Sequence, residues 1–165
     1  MPMTIDGSGT ITGLVSGGLP DASIIQSDLA TGVSSTGPAF RAFMGAAQTI
    51  SGTTFTKLNF NSEVFDTNNN FNTSTYRFTP TVAGYYHVSI TTYFSATAQL
   101  YLYKNGTAEL TGPYVNATGH TVSGIVYLNG STDYIEAFYY GSAGVTTTNN
   151  TSIANQFSAF SLRAA

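Results

Sequence analysis

The side chains able to do chemistry are few: His87, His120, the carboxylates Glu63, Asp66, Asp133 and Glu136, and many Ser and Thr hydroxyls. Hydrolysis needs a nucleophile beside its base, or two carboxyl groups about 5 to 10 Å apart across a cleft. Neither histidine has a carboxylate near it in the chain. The absence of Cys removes disulfides, thiolate metal sites and thiol nucleophiles together. No dense loop of oxygen donors surrounds the four carboxylates. Asp66, followed by Asn68, Asn69 and Asn70, reads as a polar turn before it reads as a metal site. The expectation from these residues is a protein without catalysis and with no cofactor.

These residues sit in a chain built for sheet. Charged residues make up 8% of the 165, against roughly 25% in ordinary soluble proteins. Thr, Ser, Asn and Gly take their place, and eleven Tyr with eleven Phe supply the apolar mass. Few charges and many β-branched and aromatic residues oppose disorder and favour strands. The net charge of −3 comes from scattered residues, with no basic patch for nucleic acid. No stretch nears the roughly 18 consecutive apolar residues of a membrane span, and no positive segment precedes an apolar core as in a secretory signal.

Along the chain, residues 1–37 differ from residues 38–165. The first segment is rich in Gly and Ser and holds no aromatic residue before Pro38. Thr10 to Val15 suits a short strand, and Asp21 or Ser23 can cap a short helix carrying Ile24, Ile25 and Leu29. Thr31 to Pro38 reads as a linker. Ile11, Leu14, Leu19, Ile24, Ile25 and Leu29 are too few for a core, so they point to an arm that packs against copies of itself or docks on another protein.

From Ala39 the pattern is β throughout. Expected strands are Ala39 to Met44, Thr53 to Phe60, Ala98 to Lys104, Thr121 to Leu128, Asp133 to Tyr140 and Phe157 to Leu162. Asn61 to Asn72 reads as a polar loop, and Val145 to Asn150 as a Thr/Asn loop. Asn105-Gly106 marks a tight turn, and Asn129 to Thr132 a second hairpin. At the centre lies Tyr76 to Ile90: a strand ending at Phe78, a corner with Pro80 and Gly84, then alternation of Tyr86, Val88 and Ile90 with Tyr85, His87 and Ser89. Short strands at even spacing predict an all-β sandwich or jelly roll.

Taken in order, Ala39-Phe40-Arg41-Ala42-Phe43, Phe65-Asp66, Tyr76-Arg77-Phe78-Thr79-Pro80, Ala83-Gly84-Tyr85-Tyr86, Asn105-Gly106, Asp133-Tyr134-Ile135 and Phe157-Ser158-Ala159-Phe160 resemble the complement C-one-q globular-head family. These are relatives of the tumour necrosis factor jelly roll, and the resemblance spans Phe40 to Leu162. The chain departs from the family at Ser131-Thr132-Asp133, where Gly-Asp is common, and at Ala159, where Gly is common. No Gly-X-Y stalk precedes the head. Gly17-Gly18-Leu19-Pro20-Asp21 instead resembles segments of bacteriophage fibre proteins.

The first resemblance implies a homotrimer. Some members of that family bind Ca²⁺ near the trimer apex, which makes Glu63, Asp66, Asp133 and Glu136 the candidate ligands of at most one such ion. If Tyr86, Val88, Ile90, Val126 and Leu128 point inward, then Tyr85, His87, Ile125 and Tyr127 point outward, a row that soluble monomers avoid exposing. In the family both strands face the threefold axis. Tyr101, Tyr103, Tyr134, Phe138 and Tyr140 fall, by the same resemblance, on the outer sheet. They either stack on sugar rings of a cell-surface glycan or pack against the neighbouring subunit. The combined expectation is a bacteriophage fibre or decoration protein in the virion, its arm on a capsid or tail protein and its head adhering to a surface. The alternative is a cytokine-like or lectin-like module of a cell.

Overall fold

The computed structural model describes residues 4–5, 11–12, 37–148, 151 and 153–164, with only the backbone given for 4–5, 11–12 and 164. The chain divides into two units, Met1–Ser34 and Ser35–Ala165. In the first, strands β1 (Thr4–Ile5) and β2 (Ile11–Thr12) pair antiparallel, with Ile5 opposite Ile11. Leu14, Leu19, Ile24, Ile25, Leu29 and the expected helix lie outside the described residues.

The second unit is all β among its described residues. Its strands are β3 (Ala39–Phe43), β4 (Thr49–Ile50), β5 (Thr56–Lys57), β6 (Ser62–Asp66), β7 (Phe71–Asn72), β8 (Arg77–Phe78), β9 (Ala83–Lys104), β10 (Thr107–Thr111), β11 (Val115–Asn129), β12 (Ile135–Gly141), β13 (Val145–Thr146) and β14 (Gln156–Ala164). No helix is long and apolar enough to cross a membrane among the described residues.

Strand β9 organises the fold. A strand has two edges, and β11 and β14 occupy both edges of its first part, through pairs such as Val88 with Gly124 and with Ala159. Its last part pairs instead with β10 and β12, as Tyr101 does with Thr111 and Phe138. Ala98 belongs to both regions, opposite Val115 in β11 and Gly141 in β12. One strand therefore serves two layers. The first runs β6-β3-β14-β9-β11; the second holds β10, β9, β12 and the short strands β5, β7 and β8.

Side-chain alternation fills the space between the layers. Gly84, Tyr86, Val88, Ile90, Thr92 and Phe94 are buried, and so are Ala98, Leu100 and Leu102 beyond the handover. Rings meet across the gap: Phe40 of β3 stacks on Phe78 of β8 at 4.5 Å, Tyr86 meets Phe78 edge-on at 5.8 Å, and Phe94 meets Tyr139 of β12 at 5.0 Å. Such pairs add about 0.5–1.5 kcal/mol each beyond the burial of their area.

Four local expectations are corrected. Asn61 to Asn72 is not simply a loop: β6 pairs with β3, and β7 with β8. No buried-face alternation reveals the strand, since Glu63, Val64 and Phe65 are all exposed. β6 has only β3 beside it among the described residues, and a register shift opposite Arg41 and Ala42 interrupts the ladder. Thr53 to Phe60 shortens to β5, since Phe55 faces out while Leu58 and Phe60 are buried. The Val145 to Asn150 stretch contributes β13, paired with β4. Finally, Asn129 to Thr132 does not close a hairpin. β11 and β12 each pair with β9 in different layers, so the turn carries the chain between them. Asn129 Oδ1 accepts from the amides of Ser131, Thr132 and Asp133 at 2.9–3.0 Å. Gly130 adopts φ 71°, and a Cβ there would collide with the Val82–Ala83 backbone. The turn at Asn105-Gly106 does close a hairpin, with φ 51° and 81°.

Candidate binding surfaces

The first layer turns an apolar face outward. Tyr85, Ile125 and Tyr127 are exposed at 49%, 59% and 40%, and His87 is half-buried. The register explains their meeting: Ile125 lies opposite His87, which lies opposite Phe160, while Tyr127 lies opposite Tyr85. Tyr85 and Tyr127 meet edge-on at 5.5 Å, and His87 lies 5.3 Å from Phe160. Phe160 and Leu162, absent from the sequence-based set, extend the row along β14 and are both exposed. The signal for them was available: with Phe157 and Ala159 inward, Phe160 must face out. Further along the same face the row becomes polar, with Ser158, Ser89 and Ser123 in register and Thr91 Oγ1 3.3 Å from Thr121 Oγ1.

The second layer carries a shelf of rings. Tyr101 and Phe138 are cross-strand partners, Tyr103 stacks on Phe138 at 4.2 Å, and all three are half-buried. Phe55, 48% exposed, joins them from the loop before β5, at 4.7 Å from Tyr140, 5.2 Å from Tyr101 and 6.2 Å from Tyr103. Tyr114 continues the row, 6.5 Å from Tyr140. Burial, and then the neighbouring Tyr101, raise the Tyr103 phenol above its usual range. Tyr134 has no ring neighbour in this shelf among the described residues; the Arg77 guanidinium covers it at 3.6 Å. The sequence-based set did not include Phe55 or Tyr114, because neither lies in a strand: Phe55 precedes β5 and Tyr114 falls between β10 and β11.

An ion cluster around the buried Glu136 borders the shelf. Glu136 Oε1 accepts from Lys57 Nζ at 2.5 Å and from Arg77 Nε and Nη2 at 3.1 and 3.0 Å. Lys57 Nζ also donates to the Thr75 carbonyl. Asp66 takes the amides of Asn68 and Phe71 on its two oxygens. Asp133 accepts from Asn105 Nδ2 and the Asn129 amide and pairs with Lys104 at 3.1 Å. The Asn105 bond, ahead of Lys104, holds the Asp133 carboxyl below the usual carboxylate range. Each of these three candidate oxygen ligands is thus engaged within the protein, and the described residues bring no three His, Asp or Glu together as a metal cage.

No protein-family model matches the chain, and no curated protein does. Solved structures do. The globular domain of a zebrafish complement 1qA protein superposes with a TM-score of 0.53 at 17% identity, covering 78% of this chain and 99% of its own. The Eiger TNF of S. frugiperda gives 0.58 at 8% identity, covering 78% and 92%. The head is a jelly roll of the complement and tumour necrosis factor kind. In this jelly roll the apolar row and the ring shelf lie on the outward faces of different layers.

Proposed function

We propose that this chain is a non-enzymatic binding head that closes as a homotrimer through Tyr85, His87, Ile125 and Tyr127, with Phe160 and Leu162 completing the contact. In this reading it is a bacteriophage virion protein, a fibre or decoration protein. Residues 1–37 fix it to a capsid or tail protein, and the ring shelf meets a host or environmental surface. The exposed apolar row carries the proposal: it is contiguous, set by sheet register, and unfavourable for a lone copy in water. A second copy is the occupant because cyclic closure buries the same patch on every subunit. The resemblance of Gly17 to Asp21 to phage fibre segments supports the virion setting.

Sedimentation velocity at micromolar concentration tests the assembly. The expected result is a trimer that Ile125→Glu converts to a folded monomer; a wild-type monomer would end the proposal. For the shelf, the matching ligand is a neutral glycan. Rings stack on sugar faces, and the cations beside the shelf, Lys57 and Arg77, are already committed to Glu136. Binding on a glycan array that Phe55→Ala and Tyr101→Ala abolish is the expected outcome, and binding unaffected by both removes the shelf from the reading.

A further inference from the structure

At the rim where β9 passes from one layer to the other, β11 shifts register between Ala117 and Gly119. Just beyond the shift, His120 turns inward, 4% exposed, opposite the fully buried Thr92. Its ring stacks on Phe94 at 4.4 Å and 15°, and Phe94 in turn meets Tyr139. Nε2 lies 3.2 Å from the Ala117 carbonyl, an acceptor, so Nε2 carries the hydrogen of the neutral ring and Nδ1 holds a lone pair. Nδ1 has no hydrogen-bond partner, and neither does Thr92 Oγ1 beside it in the ladder.

We propose that His120 is a proton-operated latch: neutral, it closes the rim between β9 and β11, and protonation at Nδ1 releases that rim while the rest of the sandwich stays folded. The added N–H⁺ would be a buried charge on an atom that has no hydrogen-bond partner, beside Phe94 and opposite Thr92, its burial only partly offset by the nearby carbonyls. No described charged side chain contacts the ring. Tyr139, the ring beyond Phe94, donates its hydroxyl to the Ala143 carbonyl, and its phenol is raised by burial. Burial pushes the imidazole below its usual range, against a weaker opposite pull from the carbonyls of Ala117, Ala96 and Ala98. A group with its folded value lowered gives stability that is complete above the unfolded value near 6.5 and is lost as pH falls through the folded one. The rim is the place to yield, because its ladder is already interrupted by the register shift.

The protein has two histidines, so the titration is readable directly. Imidazole NMR signals of the full chain, assigned with His87→Gln, are followed together with amide exchange between about pH 7 and pH 5. The His120 signal is expected to titrate below an ordinary imidazole. Opening at residues 92–94 and 119–122, corrected for intrinsic exchange, is expected to rise by up to about tenfold per pH unit. His120→Phe keeps the stack and removes the proton, so its opening at these amides is expected to be flat with pH. A His120 signal titrating at the ordinary imidazole position, or a folded His120→Phe with the wild-type pH response, overturns the proposal. If His120→Phe does not fold, the wild-type signal decides alone.

Discussion

Glu136 gathers three donors from Lys57 and Arg77 on one oxygen while its own side chain is almost entirely covered. Removing it leaves two cations facing each other, each about a third exposed and therefore partly screened. Glu136→Ala is expected to cost about 2 kcal/mol in urea unfolding, less than a fully buried ion pair would. Asn129 does comparable work without charge, since its Oδ1 serves three consecutive amides. Asn129→Ala is expected to cost about 1–3 kcal/mol, measured the same way. Asp133 adds a pH term. Its folded value is lowered, so its contribution is present above the unfolded value of about 3.8 and vanishes as pH falls through the folded one. Asp133→Asn is expected to flatten the acid limb of a stability profile relative to wild type.

At the scale of the strand, Gly124 and Leu110 show how the sandwich shuts along its open side. Leu110 of β10 reaches across to β11, and a Cβ on Gly124 would come within 2.6 Å of its Cδ1. Because the atom met is the end of a side chain that can swing aside, Gly124→Ala is expected to cost about 1 kcal/mol. Leu110→Ala is expected to recover part of that loss, a coupling that a double-mutant cycle measures. Additive effects would show that the two positions do not share this space. The same strands show what the residue pattern could reveal. Tyr86, Val88 and Ile90 alternate so regularly that the buried face of β9 was plain from the sequence. Its continuity through Ser95, Ala96 and Thr97 was not, because small polar residues at a handover look like a loop. Asn129-Gly130 spelled a turn correctly, yet local residues do not say whether the flanking strands pair together or with a third. Phe55 was read only as an imperfect strand position, since its place on the shelf depends on β12.

For the molecule as a whole, scarcity of charge is the governing property. The proposed subunit contact is made of rings and aliphatic groups, with Arg163 of β14 and Lys104 at its margin. Raising salt from about 0.1 to 1 M is therefore expected to leave the dissociation constant within about threefold, as followed by sedimentation. A steep weakening would mean that ion pairs hold the copies together. The jelly roll was legible from the order of Phe40, the Tyr76 to Tyr86 corner and Phe157. The choice of partner for either face was not, because a face is recognisable by its residues and its occupant is not.

The doubled role of Ala98 has a mechanical consequence. A sandwich whose layers are tied only by loops has a fault plane along which it can delaminate. Here one continuous ribbon is stitched into both sheets, so prying them apart must rip ladders on each side of the seam. Under tension the head is expected to hold intact and then rupture in a single event.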